Sequence, residues 1–348
     1  MIKKWVVAGS IMLLLLTGCN KEEKTNVNEK KESDEAVQET ATKNEFSYRF
    51  PLTGIGTEEQ TKRRAIAVVI NNHPAARPQS GLNKADIVYE VLAEGDVTRL
   101  LAVFQSEMPD QVGPVRSARD YLIELAKGFN SLFIAHGYSP EAKKMLEQGY
   151  IDNLNGMKYD GTLFKRVDFR KAPHNSYISF ANIKKGAELN NYDLTESPDP
   201  LKFYQKDELA KITGKKASSV MISYFSNDLF NVSYEYDPKL EKYRRYTNEE
   251  QTVDYETKEP VLIDNILILE MEHKVIDNYG RRDINLTSGG KGYLLQKGKW
   301  NEIEWKNKEG KIIPYLNGEE ASFVPGKTWV NVIPSDPGLT ESVSFESN

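Results

Sequence analysis

The sequence predicts a mixed α/β (α+β) protein, with an N-terminal mixed-sheet domain followed by a smaller β-rich domain. Three observations predict it: short β-branched runs between residues 63 and 107, helical periodicity after Pro114, and strand-like alternation beyond residue 217.

The first segment is an export signal. Lys3 and Lys4 precede a largely apolar run from Trp5 to Leu16, too short to span the ~30 Å hydrocarbon core of a bilayer. The run ends in Leu16-Thr17-Gly18-Cys19, which resembles the lipobox of bacterial lipoproteins. That resemblance implies cleavage after residue 18, acylation of Cys19 and a lipid anchor on the outer face of the cytoplasmic membrane. Cys19 is the single cysteine, so a disulfide, a thiolate metal site and a cysteine nucleophile are excluded from the exported region. Residues 19–45 read as a disordered tether: from residue 20 on, 13 of 26 side chains are charged and few are apolar.

Residues 46–200 form the predicted N-terminal domain. "RRAIAVVINN" (63–72), "DIVYEVLAEG" (86–95) and "RLLAVFQSE" (99–107) read as strands, the last two joined as an antiparallel hairpin through Gly95. After Pro114, Tyr121, Leu122, Leu125, Ala126 and Phe129 share one helical face, and Ser117 with Asp120 forms a capping-box-like start. "SLFIAHG" (131–137) is a further strand. "SPEAKKMLEQG" (139–149) is a second helix with Ser139 as N-cap, Pro140 at its first position and Gly149 as its stop. Residues 186–217 read as a transition with a helix at 206–213. Residues 201–335 form the predicted β-rich domain, its strands separated by turn signals such as Asp237-Pro238 and Asn317-Gly318. Residues 336–348 read as a loose tail.

Five stretches in order resemble the YerB family of lipoproteins: "ARPQSGLNKADIVYEVLAEGDVTRLLAVFQ", "GPVRSARDY", "RKAPHNSY", "RRDINLTSGGKGYLLQKGKW" and "PGKTWVNVIP". The family is known mainly from Gram-positive bacteria and is described as paired N- and C-terminal domains of unknown function. The resemblance implies a secreted, membrane-anchored α/β protein and no established activity. Residues 288–292 are "SGGKG", where the family usually has "GSGKG".

The formal net charge is −5, and removal of Lys3 and Lys4 with the signal makes the exported chain more acidic still. This argues against nucleic acid as a partner. Against that background the 13 arginines are unevenly placed, with close sets at Arg116/Arg119, Arg166/Arg170, Arg244/Arg245 and Arg281/Arg282. Arginine suits a bidentate grip on carboxylate or phosphate, and a helix start at Ser117 would add its own positive dipole end. The "RKAPHNSY" loop adds Lys171, His174 and Asn175, and His136 is expected to approach it. His73 and His273 have no evident partner in the sequence.

The expected ligand set is therefore Arg116, Arg119, Arg166, Arg170, Lys171, His174, Asn175, Arg281 and Arg282. The expected role is non-catalytic binding of an anionic envelope ligand: a phosphorylated glycopolymer, a polyprenyl phosphate headgroup or an acidic peptide. No cofactor and no metal site are expected, since HExxH, EF-hand and P-loop patterns are missing and "SGGKGY" leads into a strand. One alternative is enzymatic. "ADIVYE" and "GPVRSARD" resemble two patterns of the LytR-type glycopolymer ligases, in which case Asp86, Arg116, Arg119 and Asp120 would act with Mg²⁺, and His174 is a further candidate acid or base. Another is a protein-interaction scaffold using Tyr234, Tyr236, Tyr243, Tyr246, Trp300, Trp305 and Trp329.

Overall fold

The computed structural model describes residues 46–224 and 228–347. The signal, the lipobox with Cys19 and the tether lie outside the described residues. The described residues form one compact unit.

Among the described residues a twelve-stranded sheet runs through both halves of the sequence. Part of it is the run Asn265–Met271, Thr328–Pro334, Ile87–Leu92, Thr98–Phe104, Ile66–Asn71, Leu132–Ala135 and, at the edge, Asn153–Asn155. Thr328–Pro334 pairs in parallel with Ile87–Leu92 on one side and with Asn265–Met271 on the other. The sheet is therefore continuous across residue 200. The predicted hairpin is present, with Ile87 opposite Val103 and Leu92 opposite Thr98.

Two cores explain why the central strands are apolar at nearly every position. In Ile66–Asn71, Ile66, Val68 and Ile70 face one core, while Ala67 and Val69 face the other. Trp329 and Ile333 alternate with Val330 and Val332 in the same way. A strand covered on both faces loses the apolar/polar alternation of a half-exposed one. One face carries the helices Asp120–Lys127 and Pro140–Glu147, whose Tyr121, Leu122, Leu125, Ala126 and Ala142 are buried. The other carries a second sheet containing Ser219–Ile222, Val232–Asp237, Lys242–Thr247 and Val343–Glu346, which contributes Val220, Tyr234 and Tyr243 to the opposite core.

Four local expectations change. The first helix starts at Asp120, and Ser117 does not cap it: its Oγ donates to the His136 carbonyl (3.3 Å). Residues 115–118 are extended because they pair with their neighbours, Ile70 opposite Val115 and Ala118 beside Tyr138. The start of the expected transition segment, residues 186–190, belongs to a helix, Phe180–Asn190, capped by Ser179 and ended by Asn191 at φ 56°. Gly186 masks it in the sequence, yet a Cβ there would lie 2.5 Å from Leu154, so glycine is what lets the helix sit close to the sheet. The helix expected at 206–213 is a 3₁₀ stretch, Lys206–Lys211. The tail is structured: Leu339–Ser342 is a helical turn, and Val343–Glu346 pairs with Ser219–Ile222, so its Val343 joins the core.

Glu90 and Arg245 are 0% and 1% exposed and form an ion pair of 2.7 Å inside the structure. Glu90 also accepts from Asn72 Nδ2, Thr98 Oγ1 and Trp329 Nε1, and Arg245 donates to Thr247 and Thr252. The guanidinium lies 4.6 Å from the Trp329 ring centroid. Removing one partner of such a pair strands a buried charge. Glu90→Ala is expected to lower unfolding free energy by about 3–5 kcal/mol, whereas Glu90→Leu combined with Arg245→Met should cost far less. Urea unfolding of the two variants checks this, and equal losses would contradict it.

Candidate functional site

Ile66–Asn71 and Leu132–Ala135 are parallel strands, and open α/β sheets place ligands at the carboxyl ends of such strands. Their pairing stops at Val68 and Ile134, and residues 115–118 take over in the gap. The Arg116 N–H donates to Val69 O (2.8 Å), and His136 N–H donates to Arg116 O (2.9 Å). Arg116 is thus fixed by its backbone between two strand ends. Its half-buried guanidinium has no hydrogen-bond or ion-pair acceptor among the described residues, and its Nε is fully enclosed. Burial, and then the nearby Arg99, pushes its pKa down to about 10.

Three of the chain's four histidines gather around it. His73 follows the first strand, His136 the second, and His174 comes from the "RKAPHNSY" loop. His73, which had no partner in the sequence, stacks on His174 with ring centroids 4.7 Å apart. Buried Asn71 organises the pair. Its Oδ1 accepts the His73 backbone N–H (3.0 Å), which leaves its Nδ2 to donate to His174 Nδ1 (2.8 Å). His73 Nδ1 in turn accepts the Ala75 N–H (3.1 Å). Both neutral rings must then carry their proton on Nε2. The site offers N–H groups rather than free ring lone pairs, which suits an anion and disfavours a metal ion. Among the described residues no group of His, Cys, Asp and Glu is arranged to hold a metal.

His136 has the opposite tautomer. Arg166 Nη2 donates to its Nε2 (3.1 Å), so Nδ1–H faces Ser176 Oγ (2.7 Å). Burial lowers the pKa of all three imidazoles, and Arg116 adds to it in each case. Arg77 acts on His73 as well, Arg166 on His136, and His73 and Arg170 on His174.

The remaining expected residues are engaged elsewhere or only border this cluster. Arg119 pairs with Glu94, which also holds Arg99. Arg166 pairs with Asp160 (2.9 Å) and donates to Asn175 Oδ1 (3.2 Å). Arg170 is a loop clamp, donating to the carbonyls of Ala75, Arg77 and Pro78 and to the Tyr177 hydroxyl. Lys171 is exposed. Arg281 pairs with Asp277 (2.5 Å), and Arg282 donates to Gly95 O (3.0 Å). Asp86 does not join Arg116. It lies at the opposite end of its strand, buried, accepting from the Gln105 and Ser106 N–H groups and the Ser106 hydroxyl. Burial pushes its pKa up to about 6. His273 hydrogen-bonds the Met271 carbonyl (2.9 Å), and burial pushes it down to about 4. "SGGKG" leads into the strand Gly290–Gln296. Tyr234, Tyr243, Trp305 and Trp329 are core residues, which removes them as surface anchors.

Two family models match the chain. They are described as "Protein of unknown function (DUF3048) N-terminal domain", over residues 52–193, and "Protein of unknown function (DUF3048) C-terminal domain", over residues 220–330. A protein of Bacillus subtilis (strain 168) named "Putative lipoprotein YerB" is 49% identical over 337 residues, 96% of each chain. The chain belongs to this family. A crystal structure of YerB protein from Bacillus subtilis matches with a TM-score of 0.80 and 49% identity, covering 86% of this chain and all of the solved one. The family resemblance read from the five motifs therefore holds, and the lipoprotein relative implies membrane anchoring here too. Both matched segments contribute strands to the one twelve-stranded sheet.

Because Arg116 depresses three imidazoles at once, Arg116→Ala should raise the pKa of His73, His136 and His174 together. NMR titration of the ring protons measures this. The same spectra should show Nε2–H tautomers for His73 and His174 and Nδ1–H for His136 at neutral pH.

Proposed function

We propose that this lipoprotein, held at the outer face of the cytoplasmic membrane through acylated Cys19, retains an anionic envelope ligand at Arg116, His73 and His174. The candidate ligands are those the sequence suggests: a phosphorylated glycopolymer, a polyprenyl phosphate headgroup or an acidic peptide. The observation that carries the proposal is the pairing pattern. Of thirteen arginines, Arg116 alone has a guanidinium with no acceptor, backbone or side-chain, among the described residues, and two imidazole N–H groups stand unpaired near it. A half-buried cation without a counter-charge is costly in the free protein, and an anion removes that cost. Retention is a binding role, and no bond is broken in it.

The site implies a pH dependence of known sign. His73 and His174 are held below the usual imidazole range in the free protein, and a bound anion offsets this by favouring their charged forms. Binding therefore takes up protons, and affinity should rise as pH falls from 7.5 to 5.5. A phosphodiester-linked glycerol oligomer is the appropriate probe, because its own charge is constant over that range. Arg116→Ala should weaken its retention about tenfold or more, by loss of charge-assisted hydrogen bonds, and His73→Ala with His174→Ala should flatten the pH profile. Calorimetric titration giving unchanged affinity for Arg116→Ala would overturn the proposal.

A further inference from the structure

A separate trough lies at the other end of the Ile66–Asn71 strand, lined near Arg64 and Ile66 rather than near Val69 and His73. We propose that it takes a free single-chain amphiphile with an acidic head, an acyl or isoprenoid carboxylate. The cavity is about 800 Å³, within the ~300–1,000 Å³ usual for small-molecule sites. Its floor is apolar and continuous with the core: Ile66 and Ile183 are buried, and Met108, Phe180 and Leu194 pack partly buried against them. Phe180 is held edge-on to Phe104, ring centroids 5.4 Å apart.

Charge at the mouth selects the head group. The helix Phe180–Asn190 turns Phe180 and Ile183 toward the floor and places Lys184 at the rim, with Lys62 and Arg63 from the strand approach. Lys62 and Lys184 are exposed and have no acceptor among the described residues. Arg63 donates only to the carbonyls of Gln105 and Ser106 (3.1 Å each), so its charge is not cancelled. Arg64 is neutralised by Asp152 (2.7 Å), and Asp110 is the one carboxylate among the lining residues. The rim is thus cationic on a chain whose net charge is −5. An apolar floor under a basic mouth matches a carboxylate on a hydrocarbon chain. A neutral chain would leave the cations unused, and a small anion would leave the floor wet.

The described residues form one compact unit, and the solved relative covers 86% of this chain, so the chain without its signal and tether is the material to test. Calorimetry with saturated carboxylates of eight to fourteen carbons, below their micelle concentrations, should show affinity rising about fourfold per methylene until the trough is filled. Alcohols of equal length should bind more weakly. Lys62→Glu with Lys184→Glu changes only exposed side chains, and should weaken carboxylate binding about tenfold while strengthening binding of amines of equal length. Arg116→Ala should leave the chain-length series unchanged, which separates this trough from the anion site. Affinity independent of chain length, an unaffected Lys62→Glu/Lys184→Glu variant, or association only with phosphatidylglycerol vesicles would each overturn the proposal.

Discussion

The ion pair between Glu90 and Arg245 is the constraint on which the rest of the molecule depends. Glu90 comes from the first half of the sequence, Arg245 from the second sheet, and Trp329, which donates to the same carboxylate, from the strand that joins the halves. Two buried charges are tolerable only when nearly every lone pair and proton around them is used. Asn72, Thr98, Thr247 and Thr252 fill those places. A slip of Thr328–Pro334 by one residue would swing Trp329 to the other face and break the set.

This network runs directly into the candidate site. Asn72, bound to Glu90, is the neighbour of Asn71, which positions both stacked histidines, and Gln79 Nε2 ties the two by bonding Asn71 O and Asn72 Oδ1. The imidazoles are therefore held by the same polar core that locks the sheet. Such support lets a site keep its N–H groups aimed outward without a ligand to order them. Arg116 is held by backbone pairing instead, leaving its side chain free of structural duty.

Periodicity made much of the fold legible. The 63–72, 86–95 and 99–107 strands, the hairpin, the helix face from Tyr121 to Phe129 and the Ser139-Pro140 helix start all follow from local pattern and capping chemistry. The sheet that unites both halves was not legible, because strand partners 241 residues apart leave no local signal. The arginine clusters singled out Arg116 together with neighbours that the structure pairs off. Which arginine is left over depends on where Glu94, Asp160 and Asp277 lie in space. Ser117 looked like a cap because Ser-x-x-Asp is a local signature, and sheet pairing of residues 115–118 overrides it. His73 could have been found from its place just past a buried strand, where polar residues at a parallel strand's carboxyl end suggest a site.

The place of Thr328–Pro334 in the sheet also bears on how the protein comes into being. The strand flanked on both sides by the two halves is synthesised only after both of its partners. Until it arrives, Ile87–Leu92 and Asn265–Met271 each present an unpaired apolar edge, the kind that invites non-native pairing. A chain arranged this way commits to its final topology late. Its vulnerable interval is that wait, which makes a folding helper more valuable to it than to a protein whose domains close one by one.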